Sequence, residues 1–323
     1  MLYPLTFHPI FKERVWGGRK LESLYSKQLP RGVLIGESWE ISDRPGDASV
    51  IANGPLAGKD LRWLVENHAA ELLGPAKPQG GRFPLLIKIL DAQERLSLQV
   101  HPPAHKAAEL GGEPKTEMWY VAHAAPGAEL SVGLKRGVAR AGFERKVHEG
   151  IGADCLHRVT VRAGDVMFLP SGRVHAIGAG IVIFEIQQNS DTTYRVFDWN
   201  RTGLDGKPRE LHVAESLASI DFNDFEPSLI ESRPSGGPGL SVRSLTDCGL
   251  FKVDLIAAEA GQSLTWRGPL PTIVGVVEGR LLVVGDQVQV HLSAGQFCLL
   301  PAGLEEAKLR AETPSRFLRI EAT

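Results

Sequence analysis

The sequence predicts a mainly β protein with two β-sandwich or barrel (jelly-roll) domains and short helical insertions. Two observations predict this fold. Beyond residue 240 the chain is a succession of short apolar runs separated by turn residues, a spacing typical of β-sandwiches and barrels. In addition, residues 163–176 (AGDVMFLPSGRVHA) align with residues 294–307 (AGQFCLLPAGLEEA). An internal repeat of this kind indicates two related domains.

The first copy of the repeat carries a histidine within a frame of turn residues. Its spacing is G-x5-P-x-G-x2-H, formed by Gly164, Pro170, Gly172 and His175. A short apolar strand between two turns predicts a β-hairpin whose returning strand directs His175 inward. Alone, a histidine after a strand is usually structural. This spacing, however, resembles the second metal-binding motif of cupin barrels, which implies that His175 is a metal ligand.

A strand upstream offers two further donors. In residues 96–103 (LSLQVHPP), alternation puts Ser97, Gln99 and His101 on one face and apolar side chains on the other. The apolar face suits a sandwich core. A wholly polar opposite face is unusual for a strand unless it lines a cavity, although Gln99 alone would more often be a solvated residue.

A second upstream strand offers a carboxylate. In residues 115–121 (KTEMWYV), Lys115 and Glu117 share a face, and Glu117 alone would more often be a surface charge. Combined with the other segments, however, it completes a set of two imidazoles, one carboxylate and one amide oxygen. Such a set suits Zn²⁺ or a similar first-row divalent ion. The candidate metal ligands are Gln99, His101, Glu117 and His175.

Two other strands are predicted in the first half of the chain. Residues 36–42 (GESWEIS) alternate, with Glu37 and Trp39 on one face. Residues 83–90 (FPLLIKIL) form an apolar run interrupted by Lys88. The pattern favours an edge strand from which Lys88 reaches solvent, and a charge directed inward is the alternative.

Helices are predicted only as insertions between strands. In residues 58–74 apolar positions recur at helical spacing, and Gly74 would end the helix. Residues 1–56 predict strands and turns without a helix, with a turn at 15–18 (VWGG). The predicted helical insertions are about 58–74, 103–112, 137–158 and 210–220.

A linker is predicted at residues 226–240, which are rich in proline, glycine and serine. The chain is therefore expected to divide into a metal-binding catalytic domain (1–228) and a C-terminal β domain (229–323). The second domain is expected to lack the metal site, because Glu306 stands where the first copy of the repeat has His175.

Composition excludes several classes of protein. With 43% hydrophobic and 23% charged residues, the chain is typical of a globular protein, and its net charge of −2 gives no indication of a nucleic-acid or membrane partner. Three cysteines, far apart and odd in number, indicate a reducing compartment. The first residues lack the apolar run of a signal peptide. A cytoplasmic protein is expected, with its oligomeric state left open.

Five segments in order resemble the type I phosphomannose isomerases, in their short bacterial form: LIKIL, SLQVHP, KTEMWYV, GDVMFLPSGRVHAIG and FEIQQNSDTTYRVFDWNR. The longer members of this family have a larger helical domain, for which this chain has no room. The resemblance implies one zinc ion per chain, held by the four ligands named above. It also implies a sugar-phosphate pocket lined by Ser97, Lys88, Lys115, Glu185 and Arg195.

The implied reaction is the interconversion of mannose 6-phosphate and fructose 6-phosphate through an enediol or enediolate. Arg195 would stabilise the enediolate or bind phosphate, and Ser97 and Lys88 are the candidates for the phosphate end. Lys115 lies next to the metal and is expected to have a depressed pKa that suits acid–base work. Glu185 is a candidate base, or else a structural carboxylate paired with an arginine such as Arg195.

Two other functions are compatible with the same features. One is a different metal-dependent cupin enzyme, such as an iron-dependent dioxygenase, although an amide ligand and a cationic pocket fit a phosphorylated substrate better. The other is a non-catalytic bicupin that binds sugar phosphates. Oxygen consumption with Fe²⁺, or tight binding without turnover, would identify them.

Overall fold

The computed structural model describes residues 1–286 and 288–323, which form a mainly β protein. The strands of the first half are β1 (Ile10–Gly18), β2 (Ile35–Ile41), β3 (Asp43–Arg44), β4 (Asp47–Ala48), β5 (Leu85–Ala92), β6 (Leu98–Val100), β7 (Glu117–Ala124), β8 (Glu129–Leu134), β9 (Leu156–Thr160), β10 (Val166–Leu169), β11 (His175–Ile177), β12 (Ile181–Gln188) and β13 (Tyr194–Phe197). The later strands are β14 (Ser235–Gly237), β15 (Leu240–Asp247), β16 (Phe251–Ala258), β17 (Ser263–Trp266), β18 (Thr272–Glu278), β19 (Arg280–Val284), β20 (Gln289–Ser293), β21 (Phe297–Leu300), β22 (Ala307–Ala311) and β23 (Ser315–Ala322).

Short helices interrupt the strands of the first half. They are α1 (Lys20–Tyr25), α2 (Leu61–Leu73), α3 (Ala104–Ala107), α4 (Arg140–His148) and α5 (Val213–Ser219), with a 3-10 turn at Gly152–Cys155. Across residues 1–286 and 288–323, none of the helices has the length and apolar character needed to span a bilayer.

The first sandwich consists of a six-stranded sheet in the order β1-β2-β5-β12-β7-β10 and a five-stranded sheet in the order β13-β6-β11-β8-β9. Apolar side chains from both sheets meet between them. Trp119 and Val121 of the six-stranded sheet share one buried cluster with Leu130, Val132 and Ile177 of the five-stranded sheet. The interior between the sheets is therefore the place where inward-facing side chains of both sheets can converge.

The second sandwich repeats the topology of the first. Its sheets have the orders β14-β15-β16-β23-β18-β21 and β17-β22-β19-β20. The runs β16-β23-β18-β21 and β17-β22-β19-β20 correspond strand for strand to β5-β12-β7-β10 and β6-β11-β8-β9. The internal repeat predicted from one turn motif is confirmed and extends over eight strands, whereas the division of the chain at residue 228 stays a prediction.

The six-stranded sheet of the first sandwich is buried on both faces. Along β12, Phe184 and Ile186 pack into a core shared with the second sandwich, and the Phe184 and Phe297 rings lie 5.6 Å apart. The residues that alternate with them, Ile183 and Glu185, face the interior of the first sandwich. Side chains alternate along a strand. One face of this sheet therefore forms the contact between the sandwiches, and the other face forms part of the site described below.

The prediction of a β-hairpin between Gly164 and His175 is wrong. Strand β10 pairs with β7 in the six-stranded sheet, whereas β11 pairs with β6 and β8 in the five-stranded sheet. Residues 170–174 therefore connect two facing sheets. Local turn residues show where the chain reverses, but the topology of the whole sandwich decides which strands pair. The prediction that His175 faces inward is nevertheless confirmed, since its side chain is 1% exposed.

Among the predicted helices, α2 agrees with the sequence. Asp60 accepts a hydrogen bond from the Trp63 backbone N–H at its start, and Gly74 ends it. The insertions at 103–112, 137–158 and 210–220 each contain a shorter helix than predicted. The turn predicted at 15–18 is instead the end of β1.

Helix α1 was not predicted. Its first residue, Lys20, donates its backbone N–H to the Asp91 carboxylate at 2.7 Å. The residue before the helix, Arg19, makes no side-chain cap. The group that stabilises the start of the helix is thus 71 residues away in the chain, which local pattern cannot show.

Candidate metal centre and active site

Three predicted ligands converge inside the first sandwich. One ligand atom each from His101, Glu117 and His175 lies within 4.8 Å of the others, and all three side chains are at most 2% exposed. Glu117 Oε1 lies 3.6 Å from His101 Nε2 and 3.5 Å from His175 Nε2. Two donors that share one tetrahedral ion at zinc–ligand distances are separated by about 3.4 Å. Since hydrogen bonds of 3.5 Å and more are poor, this spacing fits a shared cation better than direct pairing.

Strand pairing explains the convergence. His175 lies directly opposite Val132 and Gln99 in the five-stranded sheet, and Glu117 begins β7 in the facing sheet. The cluster thus bridges the two layers. The predicted alternation is confirmed from Ser97 to His101, because Leu98 and Val100 are buried in an apolar cluster on the opposite face. For Leu96 it is wrong, since this residue lies in the interior cluster and lines the cavity.

The histidines are oriented for metal binding. His101 Nδ1 lies 2.8 Å from the Thr192 carbonyl oxygen, and His175 Nδ1 lies 2.9 Å from that of Arg173. A carbonyl only accepts, so each Nδ1 carries the proton and each Nε2 directs a lone pair at the cluster. Burial lowers the pKa of both imidazoles, that of His175 to about 3. Both are therefore neutral near pH 7, as ligands must be.

Gln99 borders this group in a different orientation. Its Nε2 lies 3.3 Å from His175 Nε2, while Ser97 Oγ donates to its Oε1 at 3.1 Å. In this orientation the amide presents N–H to the cluster. A rotation of the amide by 180° would present the oxygen instead, so the ligand role of Gln99 stays a prediction.

Lys115 lies against the Glu117 carboxylate, with Nζ 2.7 Å from Oε2. Burial alone would raise the pKa of Glu117, but Lys115 and His101 hold it well below its usual value. Burial would likewise lower the pKa of Lys115, but the charges of Glu117 and Glu185 outweigh burial and raise it. The charges of the chain itself therefore raise the pKa of Lys115, and the depressed pKa expected beside a bound zinc ion stays a prediction.

A cavity of about 520 Å³ opens beside the cluster, and Gln99 and Lys115 line it. The other predicted pocket residues line it too: Ser97, Lys88, Glu185 and Arg195. Trp16 and Trp119 are both buried and also wall the cavity. The charged lining residues that sequence reasoning did not assign to the site are Glu13, Arg14, Glu37, Asp191, Asp205 and Arg209. The alternation of residues 36–42 marked the face of Glu37, but nothing local showed what that face contacts.

Lys88 is directed into the cavity and is only 4% exposed, so the preferred interpretation of an edge strand with Lys88 in solvent is wrong. Strand β5 lies between β2 and β12. Lys88 Nζ lies 3.5 Å from Glu185, 3.8 Å from Glu37 and 3.9 Å from Asp191. Its burial is possible because three carboxylates surround the ammonium group.

Glu185 lies between the two buried lysines, with Oε2 3.5 Å from Lys88 and 3.9 Å from Lys115. Trp119 Nε1 donates to its other oxygen at 3.0 Å. Within the described residues it makes no ion pair with Arg195, so that pairing is not found. Burial raises the pKa of Glu185 despite the opposing charge of Lys115. A carboxylate with a raised pKa suits proton transfer near neutral pH.

Arg195 differs from the lysines in its partners. Its Nη1 donates to the Glu210 carbonyl oxygen at 3.0 Å, and its buried Nε has no partner among the described residues. Burial lowers its pKa, as does neighbouring Arg209. In the part of the chain that the structure describes, no carboxylate lies within ion-pair distance of Arg195, so this guanidinium is available to an anion.

The second sandwich has an ion pair at the corresponding place. Trp266 pairs with Ala307, and the adjoining residues Arg267 and Glu306 form an ion pair with Nε 2.9 Å from the carboxylate. These positions correspond to Gln99 and His175 of the first sandwich. Among residues 1–286 and 288–323, the His101–Glu117–His175 group is the one with metal-binding geometry. That the second domain lacks a metal site stays a prediction.

The surroundings of Glu37 predict how stability depends on pH. Burial would raise the pKa of Glu37, but Lys88, Arg14 and the Trp39 indole N–H lower it to about 2, from 4.5. The stability contributed by its carboxylate is then present above pH 4.5 and is lost as the pH falls towards about 2. This contribution is on the order of 3 kcal/mol.

We expect the free energy of unfolding of Glu37→Gln to fall less steeply than that of the parent protein between pH 5 and 3. Urea denaturation at several pH values measures this difference. The matched control is Glu278→Gln, whose carboxylate is largely exposed in a surface ion pair. Parallel curves for Glu37→Gln and the parent would contradict the prediction.

The chain is similar to proteins of known family. The family model described as phosphomannose isomerase type I, catalytic domain, matches residues 5–118. The chain is 37% identical to mannose-6-phosphate isomerase ManA of Bacillus subtilis over 95% of both chains. It is 41% identical to the mannose-6-phosphate isomerase of Streptococcus mutans over 93% of both chains.

Solved structures share the fold. A crystal structure of the mannose 6-phosphate isomerase from Bacillus subtilis has a TM-score of 0.89, 30% identity and 99% coverage of both chains. A mannose 6-phosphate isomerase bound with zinc and yttrium has a TM-score of 0.77 at 18% identity, which shows the fold alone. With sequence relatives aligned over nearly its whole length, the chain belongs to the type I phosphomannose isomerase family.

Proposed function

We propose that this protein is a mannose-6-phosphate isomerase that holds one zinc ion in its first sandwich. It would interconvert mannose 6-phosphate and fructose 6-phosphate through an enediol or enediolate. The observation that carries the proposal is the buried His101–Glu117–His175 cluster, which adjoins a cavity containing Lys88 and Glu185. The names of the sequence relatives give the substrate.

The donor set fits zinc. Two neutral imidazoles direct Nε2 lone pairs at a carboxylate, and Glu117 Oε1 has no hydrogen-bond partner among the described residues. Gln99, after rotation of its amide, would add an oxygen ligand and leave further positions open. A bound zinc ion would act as a Lewis acid towards the oxygens at C1 and C2 of the sugar.

In this proposal Glu185 is the base that transfers the proton. Its carboxyl group has a raised pKa and is oriented by the Trp119 indole, so it can take a proton from one carbon and return it to the next. The flanking ammonium groups of Lys88 and Lys115 would stabilise its charged form and the negative charge that develops on the open-chain sugar.

The substrate phosphate needs a cation that internal carboxylates do not already neutralise. Lys88 has three carboxylates within 4 Å, whereas the side chain of Arg195 has, among the described residues, only a carbonyl partner. Arg195 is therefore the stronger of the two candidates for an anion, either the phosphate or the enediolate oxygen. Ser97 would contribute a hydroxyl at the cavity wall.

The first test is conversion of mannose 6-phosphate by purified protein, with metal content measured by mass spectrometry. We expect activity to disappear with a chelator and to return when zinc is restored. Folded, zinc-loaded protein without activity would contradict the proposal. Tight binding without turnover would then indicate a sugar-phosphate-binding bicupin, and oxygen consumption with Fe²⁺ a dioxygenase.

A further inference from the structure

The connection between β12 and β13 begins with two buried residues. Asn189 and Ser190 are at most 1% exposed, and so is Gln187 near the end of β12. Buried loop backbone must find hydrogen-bond partners, because water is not available to satisfy it. Here side-chain amides and hydroxyls supply many of those partners. The loop also carries Asp191 and Thr193, both of which line the cavity.

Asn189 fastens this loop to the start of β5. Its Nδ2 donates to the Phe83 carbonyl oxygen at 2.7 Å and to that of Asp43 at 3.2 Å. Its backbone N–H donates to the Pro84 carbonyl at 2.9 Å. Arg44 Nη1 donates to the Asn189 carbonyl, also at 2.9 Å. Asn189 thus fastens the start of the loop with two side-chain and two backbone hydrogen bonds.

The same loop orients His101. The Thr192 carbonyl accepts the Nδ1 proton of His101, which is 91 residues away in sequence. The Thr192 backbone N–H in turn donates to Ser190 Oγ at 3.2 Å. His175 Nδ1, by contrast, donates to the carbonyl oxygen of Arg173, which lies two residues earlier in the chain. Of the two histidines, His101 alone depends on a distant segment to keep its Nε2 unprotonated.

We propose that Asn189 is a positioning residue for the metal centre. By anchoring the loop, it holds the Thr192 carbonyl against His101 Nδ1 and so selects the imidazole tautomer that can bind a cation. Without that carbonyl the proton can move to Nε2, which faces the cluster. This inference rests on the proposed function, since it assumes that His101 is a ligand.

The test is the near-isosteric variant Asn189→Asp, whose carboxylate would face two carbonyl oxygens. We expect the zinc dissociation constant, measured by chelator competition, to rise about 10–100-fold, as is typical when a group that orients a ligand is lost. In metal-free protein, ¹⁵N NMR should show that His101 loses its predominant Nδ1–H tautomer. Asn67→Asp is the matched control, since its exposed amide donates to a single carbonyl.

Ser190→Ala gives a milder test if Asn189→Asp does not fold, because it removes the hydroxyl that accepts from the Thr192 N–H and donates to the Glu113 carbonyl. It should also weaken zinc binding. A folded variant with reduced stability but an unchanged zinc dissociation constant and His101 tautomer would overturn the inference. Failure of the unaltered protein to bind zinc would instead refute the proposed function, and the tautomer measurement would still test the role of Asn189.

Discussion

Replacing His175 by alanine is expected to abolish zinc binding and isomerase activity together. His175 Nε2 is one of three buried donors around one point, and its loss leaves Glu117 and His101 without the geometry to hold an ion. Metal-assisted stabilisation of developing charge is worth several kcal/mol, so we expect turnover to fall by roughly 10³-fold or more. Metal content and conversion of mannose 6-phosphate are measured on the same sample.

The matched control for this variant is His291→Ala in the second sandwich, whose imidazole is largely exposed. It should keep both metal and activity. A folded His175→Ala protein with full metal content and normal turnover would remove His175 from the ligand set. Circular dichroism and thermal unfolding establish that both variants are folded.

Arg195→Ala is expected to keep its zinc and to lose activity by about 10²–10³-fold, the usual effect of removing one group that stabilises developing charge. The guanidinium lines the cavity and has no carboxylate partner among the described residues, so its removal disturbs few internal contacts. The kinetic constants distinguish its roles. A rise in KM alone indicates phosphate binding, whereas an equal fall in kcat and kcat/KM indicates stabilisation of the enediolate.

Arg195→Lys and Arg267→Ala complete this experiment. The lysine keeps the charge but not the planar fork, so intermediate activity is expected. Arg267 lies in the exposed ion pair of the second sandwich and should be dispensable. Normal kinetics in folded Arg195→Ala would contradict a role in the reaction, and loss of folding would indicate a structural residue.

Sequence predicted the members of the site better than their environments. Alternation in residues 96–101 identified the polar face of β6, and the turn frame identified His175, because both signals lie within a few residues. The three carboxylates around Lys88 come from three separate segments, so its inward direction could not be predicted. For the same reason, the second carboxylate that raises the pKa of Lys115 was missed.

Prediction of the fold was limited in the same way, by contacts between residues distant in sequence. The number and spacing of the strands indicated two similar sandwiches, but the pairing of β10 and β11 with different sheets depends on the whole topology. Helix α1 is stabilised by a carboxylate from β5 rather than by its own flanking residues. Features that depend on partners distant in sequence were therefore predicted poorly, and features of local periodicity well.

The double burial of the six-stranded sheet also gives the second sandwich a part in the site. Phe184, directly before Glu185, packs on Phe297 of the second copy. Without that copy, an apolar sheet face would lie in water, one residue from the proposed base. All three members of the His101–Glu117–His175 group belong to the first sandwich. The second sandwich nevertheless serves as the fixed support of the strand that carries the proposed base.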